Sequence, residues 1–593
     1  MWHGVSWRGL LRLCVLALLL AGAPVGAPAA AGEPVVSYLP LISRYYPLGD
    51  VAVSRVEVIQ GITLGDSYTV HVAHRPALLR VFVTVTGPDH LEGVAARLTR
   101  YVGGNPQDSL TVGPQTVFAA TNEGNLAHTL NFSLPAGWLA PGTSYVLQLD
   151  PDNLLPESDE GNNRFPSGSG QQAFNFVNVP TLDVVIVPVQ YARPGAPVSL
   201  PPTADLSYLT WMPFKVFPVS QINYTVRGSA LNFTGDLRTG GGWNALLDAV
   251  TTIHAGEDPS QTKLYYGLVD SVAVDGCSGG CIAGIGWIGL KSSAGFAGFV
   301  SNRNEASPTF THEMGHNFGR LHAPCGNPSG PGPYPYPGGA PIGQWGYDPA
   351  TGLLYAPNVY KDYMSYCGPE WTSDFTYYNI ANALVTAQAT ANGNVTDALV
   401  VSGWLASGGA PQVYPAFVER VPSAQIAAQS GPYQLQVLDA QGQVLAAQDF
   451  TPVEAAQDVQ GGAPNQTADA LGFRVALPVL DGAVRLRLVQ GGAVLWERAA
   501  SGPAPTLRPS GTLNAQANGK FDWRLDAGEP GVTYRLSVSG DGGATWTLIA
   551  PATNVPKLSL VDGGLPAGPY WLIEVQASDG VRVTRRTYTL DRR

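Results

Sequence analysis

Apolar and polar positions alternate in short runs along much of the chain. Val51-Ala-Val-Ser-Arg-Val-Glu-Val-Ile59 and Leu79-Arg-Val-Phe-Val-Thr-Val85 are examples from the first third, each bounded by Gly, Pro, Asn or Asp. A period of two turns one face inward and the other to solvent, so residues 49–178 are expected to form an all-β sandwich. The pattern then changes. Thr181-Leu-Asp-Val-Val-Ile-Val-Pro-Val189 is continuously apolar, as in a strand buried on both faces. Trp243-Asn-Ala-Leu-Leu-Asp-Ala-Val-Thr-Thr-Ile253 is apolar at helical spacing, and further strands are expected near 263–269, 282–288 and 296–300. Strands interleaved with helices predict a mixed α/β (α+β) domain over 179–395. After Val395 the short alternating runs resume in two blocks, 396–501 and 512–593, divided by a Pro/Gly-rich linker at 502–511. In the last block Asp541-Gly-Gly543 reads as a hairpin turn. The predicted architecture is therefore multidomain, with the α/β domain flanked by β sandwiches.

Length and composition agree with that division. A chain of 593 residues exceeds a single core, and 70 Gly and 49 Pro with only 13% charged residues is the balance of turn-rich β domains. The formal net charge of −11 excludes nucleic acid as a partner, because no basic surface is present to displace counterions from phosphates. The beginning of the chain reads as an export signal over 1–31: Arg8 and Arg12 precede the apolar run Leu13–Ala21, followed by Ala-x-Ala choices at Ala27–Ala29 and Ala29–Ala31. That run is shorter than the roughly 20 residues that span a bilayer, so no membrane span is expected after signal removal and the protein is expected to be secreted, with 32–48 as a lead-in linker. Cys14 lies inside the apolar run and lacks the small residues that precede a lipidated cysteine.

The other four cysteines, Cys277, Cys281, Cys325 and Cys367, cluster in the α/β block. In an exported chain an even, clustered set implies two disulfides. Three pairings are open; Cys277–Cys281 with Cys325–Cys367 is favoured as the most local. A cysteine zinc site fits less well, since one Cys-x3-Cys is followed by two distant singles.

One stretch carries chemistry: Ser307-Pro-Thr-Phe-Thr-His-Glu-Met-Gly-His-Asn-Phe-Gly-Arg-Leu-His322. Ser307 is expected as N-cap and Pro308 as first helical residue. On the helix beyond them, His312 and His316 are four apart and share a face, close enough to bind one ion. Phe310, Met314 and Phe318 form a separate apolar stripe. A helix continued to His322 would point that ring away, but Gly319 can take a positive φ and turn the chain back to supply a third ligand. Three neutral imidazoles and an open fourth position suit a catalytic zinc. Glu313, beside a ligand but not one itself, is placed to act as general base.

This pattern, His-Glu-x-x-His-x-x-Gly-x-x-His, resembles the metzincin superfamily of zinc metallopeptidases. The resemblance implies a methionine turn beneath the metal, matched by Lys361-Asp-Tyr-Met-Ser-Tyr-Cys-Gly368 with Met364 at its centre, and a closing helix, matched by Asp374–Thr390 capped by Ser373. Reprolysin-like members carry Asp after the third histidine, where this chain has Ala323-Pro324-Cys325. Met364-Ser-Tyr366 instead matches astacin- and serralysin-like members, which implies an oxyanion-stabilising role for Tyr366. Pappalysin-like and mucin-cleaving metallopeptidases are also near neighbours. The resemblance as a whole implies a zinc endopeptidase acting on protein or glycoprotein substrates, with Ala283–Gly289 as the strand along which an extended substrate pairs. The alternatives are a cell-surface adhesin retaining a structural zinc, or a hydrolase for another bond such as a deacetylase.

Two outer blocks carry resemblances of their own. Leu149-Asp-Pro-Asp-Asn-Leu-Leu-Pro-Glu-Ser-Asp-Glu-Gly-Asn-Asn-Arg-Phe165 resembles the last hairpin of bacterial CARDB-like modules, and 512–593 resembles an immunoglobulin or fibronectin module. Contacts to cell surfaces or glycans are expected from these blocks. Asp152, Glu157 and Asp159 read as turn formers; calcium is compatible with them but unsupported. His71 and His74 read as scaffold residues, and His254 as a cation favoured at a helix C-terminus.

Overall fold

The computed structural model describes residues 49–192, 197–270, 281–298, 302–390, 394–405, 409–427, 429–460, 470–508, 512–515, 520–525, 528–561 and 570–591. The expected signal and lead-in, residues 1–48, lie outside the described residues. From Leu48 onward the chain forms one compact unit.

The first block contains β1 (Asp50–Ile59), β2 (Ala77–Thr86), β3 (His90–Val102), β4 (Asn105–Phe118), β5 (Leu130–Leu134) and β6 (Thr143–Leu149). They form two antiparallel sheets, β1-β2-β5 and a second built on β4-β3-β6. Alternate residues of both, including Val58, Val81, Leu98, Phe132 and Leu147, meet in a common core. Period-two patterning places them on the inner faces.

The second block contains β7 (Leu182–Tyr191), β8 (Ile222–Val226), α1 (Gly240–Glu257), β9 (Leu264–Val269), β10 (Cys281–Trp287), β11 (Ser292–Phe296), α2 (Ala306–Asn317) and α3 (Asp374–Thr390). The strand order is β8-β7-β9-β11-β10, parallel except where β10 runs antiparallel to β11. Strand β7 is apolar from Val184 to Val189 because both its faces are covered there. Val184 and Ile186 share a core with Phe310 and Met314 of α2 and with Phe318 just after it, whereas Val185 and Val187 share one with Trp243, Leu246, Leu247 and Val250 of α1. Burying each such side chain stabilises by about 1.5–3 kcal/mol relative to exposure. The two helices are thus clamped on opposite faces of one sheet, and this holds α2 against β10 and β11.

The sheet does not end at β10. It continues through β12 (Val395–Leu405), β13 (Val453–Gln460) and β14 (Ala470–Leu477) in the order β10-β13-β14-β12, giving eleven strands among the described residues. The strand expected to lie at the substrate-facing edge therefore has a neighbour on both sides. Farther along, strands of 433–499 share a core with β12 and β14, and strands of 512–591 enclose a separate core around Trp523, Tyr534 and Trp571.

Two local expectations are corrected. Ser307 is not the N-cap of α2: a 3₁₀ turn over Arg303–Glu305 extends the helix backward, and Ser307 lies within its first turn. There its Oγ accepts from Met212 N at 3.0 Å, a tertiary bond that competes with capping. Pro308 is still tolerated, since the N–H groups of a first turn have no partner within the helix. His254 is not a helix-terminal cation: it is buried, stacks on Tyr265 and pairs through Nδ1 with Ser292 Oγ at 2.9 Å. Burial lowers its pKa, and the neighbouring Asp258 only partly opposes this.

Candidate metal centre

Helix α2 carries His312 and His316 on one face, and the chain then turns sharply. Gly319 adopts φ +76°. Arg320 N donates to Gly315 O at 3.1 Å and Gly319 N to His316 O at 2.8 Å, the paired bonds of a Schellman stop. The turn carries His322 back to the other two rings. Ligand atoms of the three histidines lie within 4.8 Å of one another, with the Nε2 atoms of His312 and His316 3.0 Å apart. A tetrahedral zinc with bonds of about 2.0–2.1 Å needs its nitrogens about 3.3 Å apart, so the set fits such an ion.

The other ring nitrogens decide the tautomer. His312 Nδ1 lies 2.8 Å from Tyr363 O, His316 Nδ1 2.7 Å from Arg320 O, and His322 Nδ1 2.7 Å from Ser329 O. A carbonyl only accepts, so each Nδ1 donates and each Nε2 keeps its lone pair for a metal. Burial pushes His312 down to about 4 and His316 well below the ordinary range, so both rings are neutral at physiological pH. Neutral imidazole is the ligating form.

Met364 lies against the helix at Gly315, between His312 and His316 in sequence. Met364 N donates to Asp362 Oδ1 at 2.8 Å, and Asp362 also accepts from the backbone N of Ser373 at 3.1 Å. Asp362, fully buried, thereby joins the methionine turn to the start of α3, where Ser373 Oγ caps Thr376 N at 3.0 Å. Any Cβ at Gly315 would overlap the Met364 sulfur and come within 3.2 Å of Tyr363, so this glycine is what lets the turn approach the helix. Two bonds lash the His322 turn to the methionine turn, Ala323 N to Met364 O at 2.8 Å and Tyr366 N to Cys325 O at 3.0 Å. The disulfide Cys325–Cys367 closes the same junction. The expected pairing Cys277–Cys281 lies outside the described residues, which include neither Cys277 nor the side chain of Cys281.

Glu313 is fully buried between α2 and β10. A Cβ at Gly286 would lie 2.8 Å from its Oε2, and one at Gly284 2.9 Å from its Cδ. The glycines of β10 therefore make room for this carboxylate. Tyr366 Oη lies 3.1 Å from His322 Nε2 and donates to Gln457 O at 2.6 Å. The residues picked out from sequence, His312, Glu313, His316, Gly319, His322, Met364 and Tyr366, are thus brought to one place. Sequence reasoning missed Asp362, Gly315 and the three orienting carbonyls. Asp362 stands two residues before Met364, a spacing at which aspartate caps a turn through its own backbone, and that was the available signal.

Other candidates do not converge. His71 packs against Phe174 and Phe176 with burial lowering it to about 4, and His74 is exposed at φ +60°. Asp152 pairs with Arg97 and Asp159 accepts from Gly161 N. The acids that do approach one another are Asp150, Glu157 and Glu160, where Asp150 accepts from Leu154 N and Leu155 N and Glu157 from Val51 N. The bonds of Asp150 close a turn, whereas Glu157, expected as a turn former, instead ties its loop to β1 through Val51.

Comparison with known proteins agrees with the geometry over the central block. Residues 226–379 match the family model described as Peptidase M66. No curated protein matches the chain. Among solved structures, a two-domain fibronectin type-III segment of chicken tenascin is 12% identical, covering 34% of this chain and 98% of that one at a TM-score of 0.13. A family 2 glycosyl hydrolase from Bacteroides cellulosilyticus is 10% identical, covering 91% and 79% at a TM-score of 0.14. Likenesses this low carry no argument about the fold. The family match and the histidine triad together support a metallopeptidase-type domain with a metal-binding group at His312, His316 and His322.

Proposed function

We propose that this chain is a secreted, zinc-dependent endopeptidase of metzincin type, with His312, His316 and His322 as ligands and Glu313 as general base. The observation that carries the reading is the convergence of three Nε2 lone pairs, each fixed by an Nδ1–H bond to a backbone carbonyl, beside a buried carboxylate. A structural zinc normally closes its coordination with a fourth protein ligand and needs no base. Here the described metal-ligating group contains three residues. Zinc bound there supplies a Lewis acid that lowers the pKa of a water to about 7 and polarises the scissile carbonyl. Glu313 takes a proton from the attacking water on a carboxylate oxygen and passes it to the leaving amine nitrogen. Tyr366 Oη, which already donates to a peptide carbonyl, is suited to hold the oxyanion. The flanking β blocks would bind substrate, cell surface or glycan.

The test is cleavage of casein by the purified chain, with and without a chelator, beside Glu313→Ala. Cleavage is expected to disappear in both cases while the variant keeps its zinc; removing a positioned general base costs at least about 10²–10⁴ in rate. A chain that binds one zinc and cuts neither casein nor a glycoprotein panel, even after the strand paired to β10 is displaced, would support the adhesin instead. One that binds no zinc would refute the proposal.

A further inference from the structure

Strand β10 forms a wall of the metal centre, since Gly284 and Gly286 face Glu313 and His316. One side of β10 pairs with β11, and the other is filled by β13. The register is antiparallel: Trp287 opposite Ala455, Gly286 opposite Ala456, Ile285 opposite Gln457, Gly284 opposite Asp458, Ile282 opposite Val459 and Cys281 opposite Gln460. Strand β13 comes from far along the chain, outside the residues that match the peptidase family. Among the described residues Val453, Glu454 and Ala455 pair with β14, and Ala455–Gln460 pair with β10. The segment thus runs along β10 beside the metal centre. Two further bonds anchor it there, Tyr366 Oη to Gln457 O at 2.6 Å and Gln457 Nε2 to Asn244 Oδ1 at 3.1 Å.

We infer that Val453–Gln460 is a built-in pseudosubstrate, occupying the groove in which an extended peptide would add to β10. The inference rests on the peptidase reading for what the groove is for. A β-strand offers one row of N–H and C=O groups on each edge. With β11 holding one edge, a substrate strand and β13 compete for the same groups of β10 and cannot be bound together. Gln457 O, moreover, takes the Tyr366 hydroxyl that would serve a substrate carbonyl. Bound peptide therefore requires 456–460 to peel away from β10.

Binding of a labelled octapeptide, Val-Glu-Ala-Ala-Gln-Asp-Val-Gln, to the full chain and to Ala456→Pro/Gln457→Pro tests this by fluorescence anisotropy. Two adjacent prolines remove at least one ladder donor. The variant is expected to bind the peptide at least tenfold more tightly than wild type. Equal binding would overturn the inference, as would no binding by a variant that keeps its disulfide and unfolds cooperatively. Should the variant not fold, hydrogen exchange on the unaltered chain decides. Amides of 456–460 are expected to exchange at least tenfold faster than those of Leu264–Val269, through local opening. Exchange of both segments at one rate would make β13 a permanent wall and sink the idea. A variant that binds peptide yet, loaded with zinc, cuts nothing would refute the peptidase reading and leave the occupation standing.

Discussion

Removing the disulfide Cys325–Cys367 by a double substitution to serine isolates one element that holds the centre together. The bridge spans 42 residues of sequence. Closing a loop of that length removes about 13 cal/mol/K from the unfolded chain, or about 4 kcal/mol at 25 °C, in the loop-entropy description. Residual structure in the unfolded chain without the bridge reduces that figure, so a loss of about 2–4 kcal/mol is expected. The folded geometry should persist, since Ala323 N to Met364 O and Tyr366 N to Cys325 O still join the two turns. Guanidinium unfolding followed by tryptophan fluorescence, with zinc saturating and then removed, measures both parts. The expected outcome is a lower midpoint with one zinc still bound per chain. Unfolding free energy unchanged within about 0.5 kcal/mol would refute the entropic argument. Loss of zinc at unchanged stability would refute the claim that the backbone bonds suffice to place His322.

Three other perturbations have defined outcomes. Gly315→Ala forces a methyl against the Met364 sulfur and should cost about 1–3 kcal/mol by overpacking, read by thermal unfolding together with weaker zinc retention in dialysis. Tyr366→Phe keeps the ring but removes the hydroxyl that donates to Gln457 O; kcat should fall about 10²–10³-fold with zinc content unchanged, and an unchanged kcat would remove Tyr366 from the chemistry. Asp248 lies against Trp404, and burial pushes its carboxyl from 3.8 up to about 7. A raised acid pKa means the folded chain keeps a proton that the unfolded chain gives up, so stability should fall as pH rises from about 4 to about 7 and then level off; Asp248→Asn should flatten that slope in urea titrations across the range.

The histidine triad was legible because the information that places it is local. His312 and His316 meet through the 3.6-residue period of a helix, and Gly319 brings back His322 through a backbone conformation that a side chain would strain. Eleven residues, His312 to His322, contain the whole device. The Ser373 cap of α3 and the inward face of β7 were readable for the same reason, each depending on neighbours within a few positions. What could not be read depends on partners far along the chain. Ser307 was expected to cap α2 and instead bonds Met212, and His254 was expected to carry charge but sits buried against Tyr265. The pairing of Cys325 with Cys367 was one of three possibilities until the two turns were seen side by side. That Gly284 and Gly286 of β10 make room for Glu313 is shown only by the packing of α2 on the sheet. Strand β13 is the furthest case. Its alternation predicted a strand, but a period of two is compatible with any neighbour and any register. That it lies along β10, beside the metal centre, was decided by the packing of the two sheets into one.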